Sequence, residues 1–199
     1  MTRVLNLWFL LLIAIAPVSV AEELAWPLEG KSTASGKFQQ TVTGVNGDLA
    51  LYSSGQFVAM KPDHFRWNIE SPDRQLLIAT PKAFWQWDKD LDVVILRDAP
   101  ELTHLPISAI WDGALSESPS GGGVTHQFGG GVKNLSVSSP DKNTIVVIFK
   151  DPLGQETRFE FTLDTQAAIS LSSFEMTVPE DADFYDESSS SARHSEAVE

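Results

Sequence analysis

From residue 37 onward, apolar and polar side chains alternate one for one in short runs, as strands do when one face is covered and the other wet. Thr157–Leu163 is the clearest case: Phe159, Phe161 and Leu163 fall on one face, Arg158, Glu160 and Thr162 on the other. Phe65–Glu70 repeats it, with Phe65, Trp67 and Ile69 opposite Arg66, Asn68 and Glu70. The same reading predicts strands at Lys37–Thr43, Asp48–Tyr52, Gln56–Met60, Gln75–Thr80, Phe84–Asp88, Asp92–Arg97, Asn134–Ser138, Thr144–Lys150 and Ala168–Val178. Turn chemistry separates them at Asn46-Gly47, Ser53-Ser54-Gly55, Lys61-Pro62-Asp63, Ser71-Pro72-Asp73 and Pro152-Leu153-Gly154. These intervals are too short for crossover helices, so the expectation is a sequential antiparallel meander.

Helix signals are few. Glu101–Leu115 carries a partial apolar stripe (Leu102, Leu105, Ile107, Ile110, Trp111, Leu115), and Glu22–Leu28 fits a turn or two before Pro27 interrupts it. Ser116–Gly131, with two glycine triplets, reads as a loop. One sheet with at most two short helices leaves its apolar face poorly covered, and either a second curl of the sheet or a ligand has to supply the cover.

Composition narrows the classes. The 199 residues contain no cysteine, which removes disulfides, thiol nucleophiles, Cys-ligated metals and an acylated N-terminal cysteine. A net charge of −13 argues against nucleic-acid partners. Residues 1–21 read as a secretory signal: Arg3, an apolar core at Leu5–Ala16, and a small-residue site at Ser19-Val20-Ala21. Near the other end, seven acids from Glu180 onward face Arg193 alone, and the serine run Ser188–Ser191 stands among them. The expected division is therefore a signal at 1–21, a domain at 22–187, and a disordered acidic and serine-rich tail at 188–199.

No constellation of chemistry emerges. His64, His104, His126 and His194 have neither metal-ligand spacing nor a nucleophile context. Asp88-Lys89-Asp90-Leu91-Asp92 imitates the start of a calcium loop, but Val93 and Ala99 stand where glycine and glutamate are needed, so it reads as a charged turn. The glycine triplets follow no strand and precede no Lys-Ser/Thr, which argues against a phosphate cradle. No enzyme, metal or cofactor is expected.

The central block is more specific. Gly55-Gln-Phe-Val-Ala-Met-Lys61-Pro62-Asp-His-Phe65-Arg66-Trp67, then Pro72-Asp73, Gln75–Ile78, Lys82 and Phe84-Trp85-Gln86-Trp87-Asp88, resembles the periplasmic outer-membrane lipoprotein carrier family (LolA-type). Gly36-Lys37-Phe38-Gln39-Gln40 is similar to that family's first strand, and Phe174-Glu-Met176-Thr-Val-Pro179 with Ala182-Asp183 resembles its closing motif. The resemblance implies a mainly β fold with a few short helices, a curved antiparallel sheet forming a half-open β-barrel whose apolar mouth is capped by a helical lid. It implies a periplasmic, non-enzymatic and monomeric carrier of acylated lipoproteins or other lipid cargo. Its partners would be an inner-membrane ABC-type release complex and an outer-membrane receptor lipoprotein. Three features depart from the family: Pro27 shortens the first helix, Lys61 stands where arginine usually precedes the turn proline, and Ser116–Ser139 is compressed and glycine-rich.

Alternation and the resemblance together nominate an acyl-binding cavity lined by Phe57, Met60, Phe65, Trp67, Ile69, Ile78, Trp85, Trp87 and Ile95. Phe57 and Met60 lie on opposite faces of their own strand. Phe65, Ile69, Phe159 and Phe161 taken singly fit an ordinary core, whereas Trp67, Trp85 and Trp87 as a group point to the cavity. Lys61 and Arg66 are candidate contacts at the lid or mouth, although alternation sets Arg66 and Arg74 on the solvent face. Two other readings stay open: a paralogous carrier of an exported glycolipid or acyl conjugate, and a periplasmic acyl hydrolase.

Overall fold

A computed structural model of the protein describes residues 26–99, 110–111, 133–164 and 168–189. Ten strands form one sheet: β1 (Thr33–Thr43), β2 (Leu49–Met60), β3 (His64–Ser71), β4 (Gln75–Ala79), β5 (Phe84–Asp88), β6 (Val93–Arg97), β7 (Lys133–Asp141), β8 (Thr144–Lys150), β9 (Glu156–Leu163) and β10 (Asp183–Asp186). Their order is β10-β6-β5-β4-β3-β2-β1-β9-β8-β7, so the chain meanders outward from β1 on one side and returns to it through β9. Every neighbouring pair is antiparallel except β10 with β6. The predicted meander is present. Among the described residues no helix is long and apolar enough to cross a membrane.

The sheet bends sharply toward one face. Trp67 on β3 and Phe159 on β9 are separated by β2 and β1, three strand spacings or ~14 Å in a flat sheet. Their ring centroids are nevertheless 5.5 Å apart. Phe57 on β2 and Phe161 on β9, two spacings apart, meet edge to face at 5.1 Å. Only curvature brings side chains on non-adjacent strands into such contact, so the face carrying Phe38, Phe57, Trp67, Phe159 and Phe161 is the inner, concave one. The sheet ends in β10 and β7 and is open, as an incomplete barrel would be.

Two glycines permit the bend. A Cβ on Gly36 would overlap the carbonyl oxygen of Thr162, and one on Gly55 would overlap that of Asn68 while touching Phe38 at 3.0 Å. Ser53-Ser54-Gly55, expected to be a turn, instead lies inside a continuous β2, where the pairing with β3 slips between Ser54 and Gly55. Glycine there serves close strand approach, not chain reversal.

One further expectation is corrected. Ala168–Val178 is not a strand: Leu171–Phe174 forms a 3₁₀ turn inside an unpaired strap that crosses the outer face. The acidic segment contributes a strand of its own. β10 docks parallel on β6, with Asp183 N–H donating to Asp92 O at 3.0 Å and Glu187 N–H to Leu96 O at 2.9 Å. Two further residues beyond Glu187 are described, and both make hydrogen bonds. Ser188 donates to Asp186 and the Ser189 amide to Asp98.

The signal segment 1–21 and residues 190–199 lie outside the described residues. So do the expected helices, apart from Trp26–Leu28 and the pair Ile110–Trp111.

Candidate functional site

The centre of the concave face is built from alternate residues of six strands. Cross-strand pairs carry it from Trp67 to Phe57, from Gly55 to Phe38, from Phe38 to Phe161, from Phe161 to Ile145, and from Phe159 to Val147 and on to Val137. Aromatic rings dominate its centre. Phe38 and Trp67 lie 3.8 Å apart between centroids, Phe65 and Trp67 5.2 Å, and Phe159 and Phe161 stack at 5.8 Å. The phenyl rings among them supply apolar area without polar obligations, as a greasy, non-directional surface requires.

This face is covered by chain that belongs to no strand. Leu28 and Ile110 are buried against the rings, and Trp26 and Trp111 pack at the margin. Among the described residues, two polar contacts join these pieces to each other and to the sheet. Trp26 Nε1–H donates to Ile110 O at 3.1 Å, and the Lys61 ammonium stands 5.1 Å above the Trp111 ring. Lys61 itself is exposed, while its backbone N–H is anchored to Ser32 O at 2.8 Å.

Register divides the nine nominated lining residues between two faces, which corrects the expectation of a single cavity. Phe57, Phe65, Trp67, Ile69 and Ile95 lie on the concave side, since Phe57 opposes Trp67, Trp67 opposes Leu77, Leu77 opposes Gln86 and Gln86 opposes Ile95. Met60, Ile78, Trp85 and Trp87 lie on the outer side, where Ile78 opposes Trp85 and Leu76 opposes Trp87. There they form a second cluster with Val58, Leu76, Ile169, Phe174 and Met176, beneath the strap. Sequence alternation shows which residues of one strand share a face; only the ladder shows which face the next strand contributes.

Arg66 takes the face that alternation gave it, and only its expected contact with the lid or mouth is corrected. It shares the outer face and donates to Ser173 O at 3.2 Å, fastening the strap and not the lid; burial holds its pKa below the ordinary guanidinium value. Nearby, Lys89 reaches over the Trp87 ring at 5.4 Å to donate to Asn68 Oδ1 at 2.5 Å. Burial, then the Arg66 and Arg74 charges, lower the Lys89 pKa.

The Asp88–Asp92 segment is a turn. Asp88 Oδ1 accepts the amides of Asp90 and Leu91 at 3.0 Å, and Asp90 is engaged by the Arg74 amide and guanidinium at 2.8 Å. Among the described residues, no group of three or more His, Asp or Glu is placed to hold a metal ion.

Sequence reasoning left out Phe38, Phe149, Phe159 and Phe161 from the site, although all four line the concave side. Period-two alternation identified the inward face of β9, but its place beside β1 is a contact across more than a hundred residues. Leu28, Trp26, Ile110 and Trp111 had no strand pattern to place them.

Residues 29–118 match the family model described as outer membrane lipoprotein carrier protein LolA. An outer-membrane lipoprotein carrier protein of Azotobacter vinelandii is 27% identical over 194 residues, covering 87% of this chain and 93% of that protein. The chain is a homologue of the outer-membrane lipoprotein carriers. The carrier of Shewanella woodyi is 28% identical over 169 residues (78% and 80% of the two chains), and that of Xanthomonas axonopodis pv. citri 36% over 95 residues (47% and 46%). The family match takes in β1 to β6 together with Ile110 and Trp111. The alignment with the Azotobacter carrier is long enough to take in β7 to β9 too, which complete the concave face.

Proposed function

We propose that this protein is a periplasmic, non-enzymatic carrier of lipoproteins that holds their acyl chains against the concave aromatic face. The homologues are named as outer-membrane lipoprotein carriers, which favours a carrier over the acyl-hydrolase reading. One observation carries the acyl-binding step: the concave rings are covered by chain outside the sheet, joined among the described residues by the Trp26–Ile110 hydrogen bond and the Lys61–Trp111 cation–π contact.

Magnitudes explain why such a cover can be exchanged for cargo. Acyl chain in water costs roughly 0.8 kcal/mol per CH₂, on the order of 12 kcal/mol for a sixteen-carbon chain. The hydrogen bond contributes ~0.5–1.5 kcal/mol and the exposed cation–π contact ~0.5–1 kcal/mol. Leu28 and Ile110 each add ~1.5–3 kcal/mol of burial. A triacylated anchor therefore competes well against the lid residues, whereas the sheet rings stay fixed by their ladders. In this reading the carrier accepts lipoprotein from an inner-membrane ABC-type release complex and delivers it to an outer-membrane receptor lipoprotein. The leader at residues 1–21 supplies export to the periplasm.

Native mass spectrometry of protein purified from the periplasm tests the cargo, together with uptake of a synthetic triacylated lipopeptide. Adducts at acylated-protein masses and saturable lipopeptide uptake are expected. A protein that stays bare and takes up no acyl probe would sink the carrier reading, and a bound glycolipid would redirect it to the paralogue.

A further inference from the structure

Two turns meet at the end of the sheet remote from the lid residues. The last residue of β1, Thr43, opposes Leu49 in one ladder and Glu156 in the other. The β1–β2 turn (residues 44–48) and the β8–β9 turn (residues 151–155) therefore project side by side, and Val45 Cγ1 lies 3.3 Å from where a side chain on Gly154 would begin. Both turns are closed by their own backbone. Gly44 N–H donates to Asp48 O and Gly47 N–H to Gly44 O, both at 2.9 Å; Asp151 N–H donates to Gln155 O at 3.0 Å and Gly154 N–H to Asp151 O at 3.1 Å.

On this rigid mount stand three aliphatic side chains with little cover: Val45 is 68% exposed, Leu49 66% and Leu153 78%. Turn formation does not call for them, because Asn46, Gly47 and Gly154 already provide that chemistry. Isolated exposed apolar residues need no explanation, but three that converge on one prominence do. Behind them, exposed Leu51 opposes Val42, and Val42 opposes Thr157, the row that leads to Phe149. This concave row thus ends beneath the tip, while Leu49, opposite Thr43 and so in line with Glu156, stands on the neighbouring row.

Shape and charge select the occupant. Three side chains on two turns offer far less than the ~800 Å² that each partner of a stable protein complex buries. They also stand exposed at the end of the sheet, which suits a soft medium better than a complementary pocket. The flanking charges include Asp48, Asp151 and Glu156 against Lys150, on a chain of net charge −13, so anionic surfaces repel this end. We propose that the paired turn tips are a membrane-contact surface that inserts Val45, Leu49 and Leu153 shallowly into a bilayer of zwitterionic headgroups. This surface is distinct from the proposed cargo face and does not depend on what that face carries.

The absence of cysteine makes the test clean. Leu153→Cys and, at the opposite end, Lys82→Cys each accept one environment-sensitive fluorophore, and each is titrated with phosphatidylcholine vesicles. A blue shift at 153 with none at 82 is expected, reduced at least threefold when a third of the lipid is phosphatidylglycerol and partly restored by salt. Unlabelled protein should sediment with neutral vesicles, and Val45→Asp/Leu49→Asp/Leu153→Asp should lower that partitioning at least tenfold while keeping lipopeptide uptake. No shift at 153, an equal shift at both sites, or stronger binding to anionic vesicles would overturn the proposal. So would a concentration-dependent dimer abolished by Leu153→Asp, which would make a second copy the occupant. Loss of lipopeptide uptake with vesicle contact intact would count against the cargo reading alone.

Discussion

Lys61→Gln probes the lid most directly. The ammonium stands 5.1 Å from the Trp111 centroid on an exposed side chain, and the backbone N–H of the same residue is held by Ser32 O. Glutamine removes the charge while leaving that backbone anchor in place. An exposed cation–π contact is worth ~0.5–1 kcal/mol. Through the Boltzmann factor, its loss raises the ratio of open to closed lid roughly two- to fivefold. In the proposed mechanism cargo binds only the open form, so apparent affinity scales with the open fraction while that fraction is small. Titration with a triacylated lipopeptide should therefore show a two- to fivefold tighter apparent Kd, with the melting temperature almost unchanged. In a Trp111→Leu background the same substitution should be silent, since the ring it acts on is gone. Lys61→Arg should retain the closed lid, because a guanidinium also stacks on an aromatic face. Weaker binding by Lys61→Gln, or the same gain with leucine at 111, would refute the latch.

Three further outcomes are expected. Gly36→Ala forces a methyl onto the Thr162 carbonyl and should cost more than ~4 kcal/mol in urea unfolding, whereas Gly47→Ala, with open space around it but φ of 85°, should cost only ~1–3 kcal/mol; equal effects would show that the bend does not depend on Gly36. Phe65→Glu, on the concave face, should reduce lipopeptide uptake at least tenfold. Trp85→Glu should leave uptake intact while loosening the strap, seen as faster proteolysis near Phe174; the reverse pattern would invert the assignment of faces. The Asp90 carboxyl is held below the ordinary aspartate range by hydrogen bonds from the Arg74 amide and guanidinium, so its stabilising effect is present at neutral pH and lost as pH falls through the depressed pKa. Arg74→Ala should return it toward the ordinary value in an NMR titration, and an unmoved carboxyl would show that the pairing is absent in solution.

Much of this protein was legible in the order of its residues. Alternation at Phe65–Glu70 and Thr157–Leu163, with turn chemistry between runs, determined a meander of antiparallel strands, because strand geometry sends neighbouring side chains to opposite faces. The motif from Gly55 to Asp88 pointed to the carrier family, which the homologues share. Tertiary structure decided the rest. Which face Trp85 and Trp87 occupy depends on how β5 registers with β4, and a shift of one residue would exchange every side chain on it. The strap and β10 are stabilised by β3 and β6, elements about a hundred residues away in the chain, so no local pattern could separate a docked acidic strand from a solvated tail. The curvature that turns separate rings into one concave surface arises where Gly36 and Gly55 let neighbouring backbones close in, and a glycine shows in sequence without showing what approaches it.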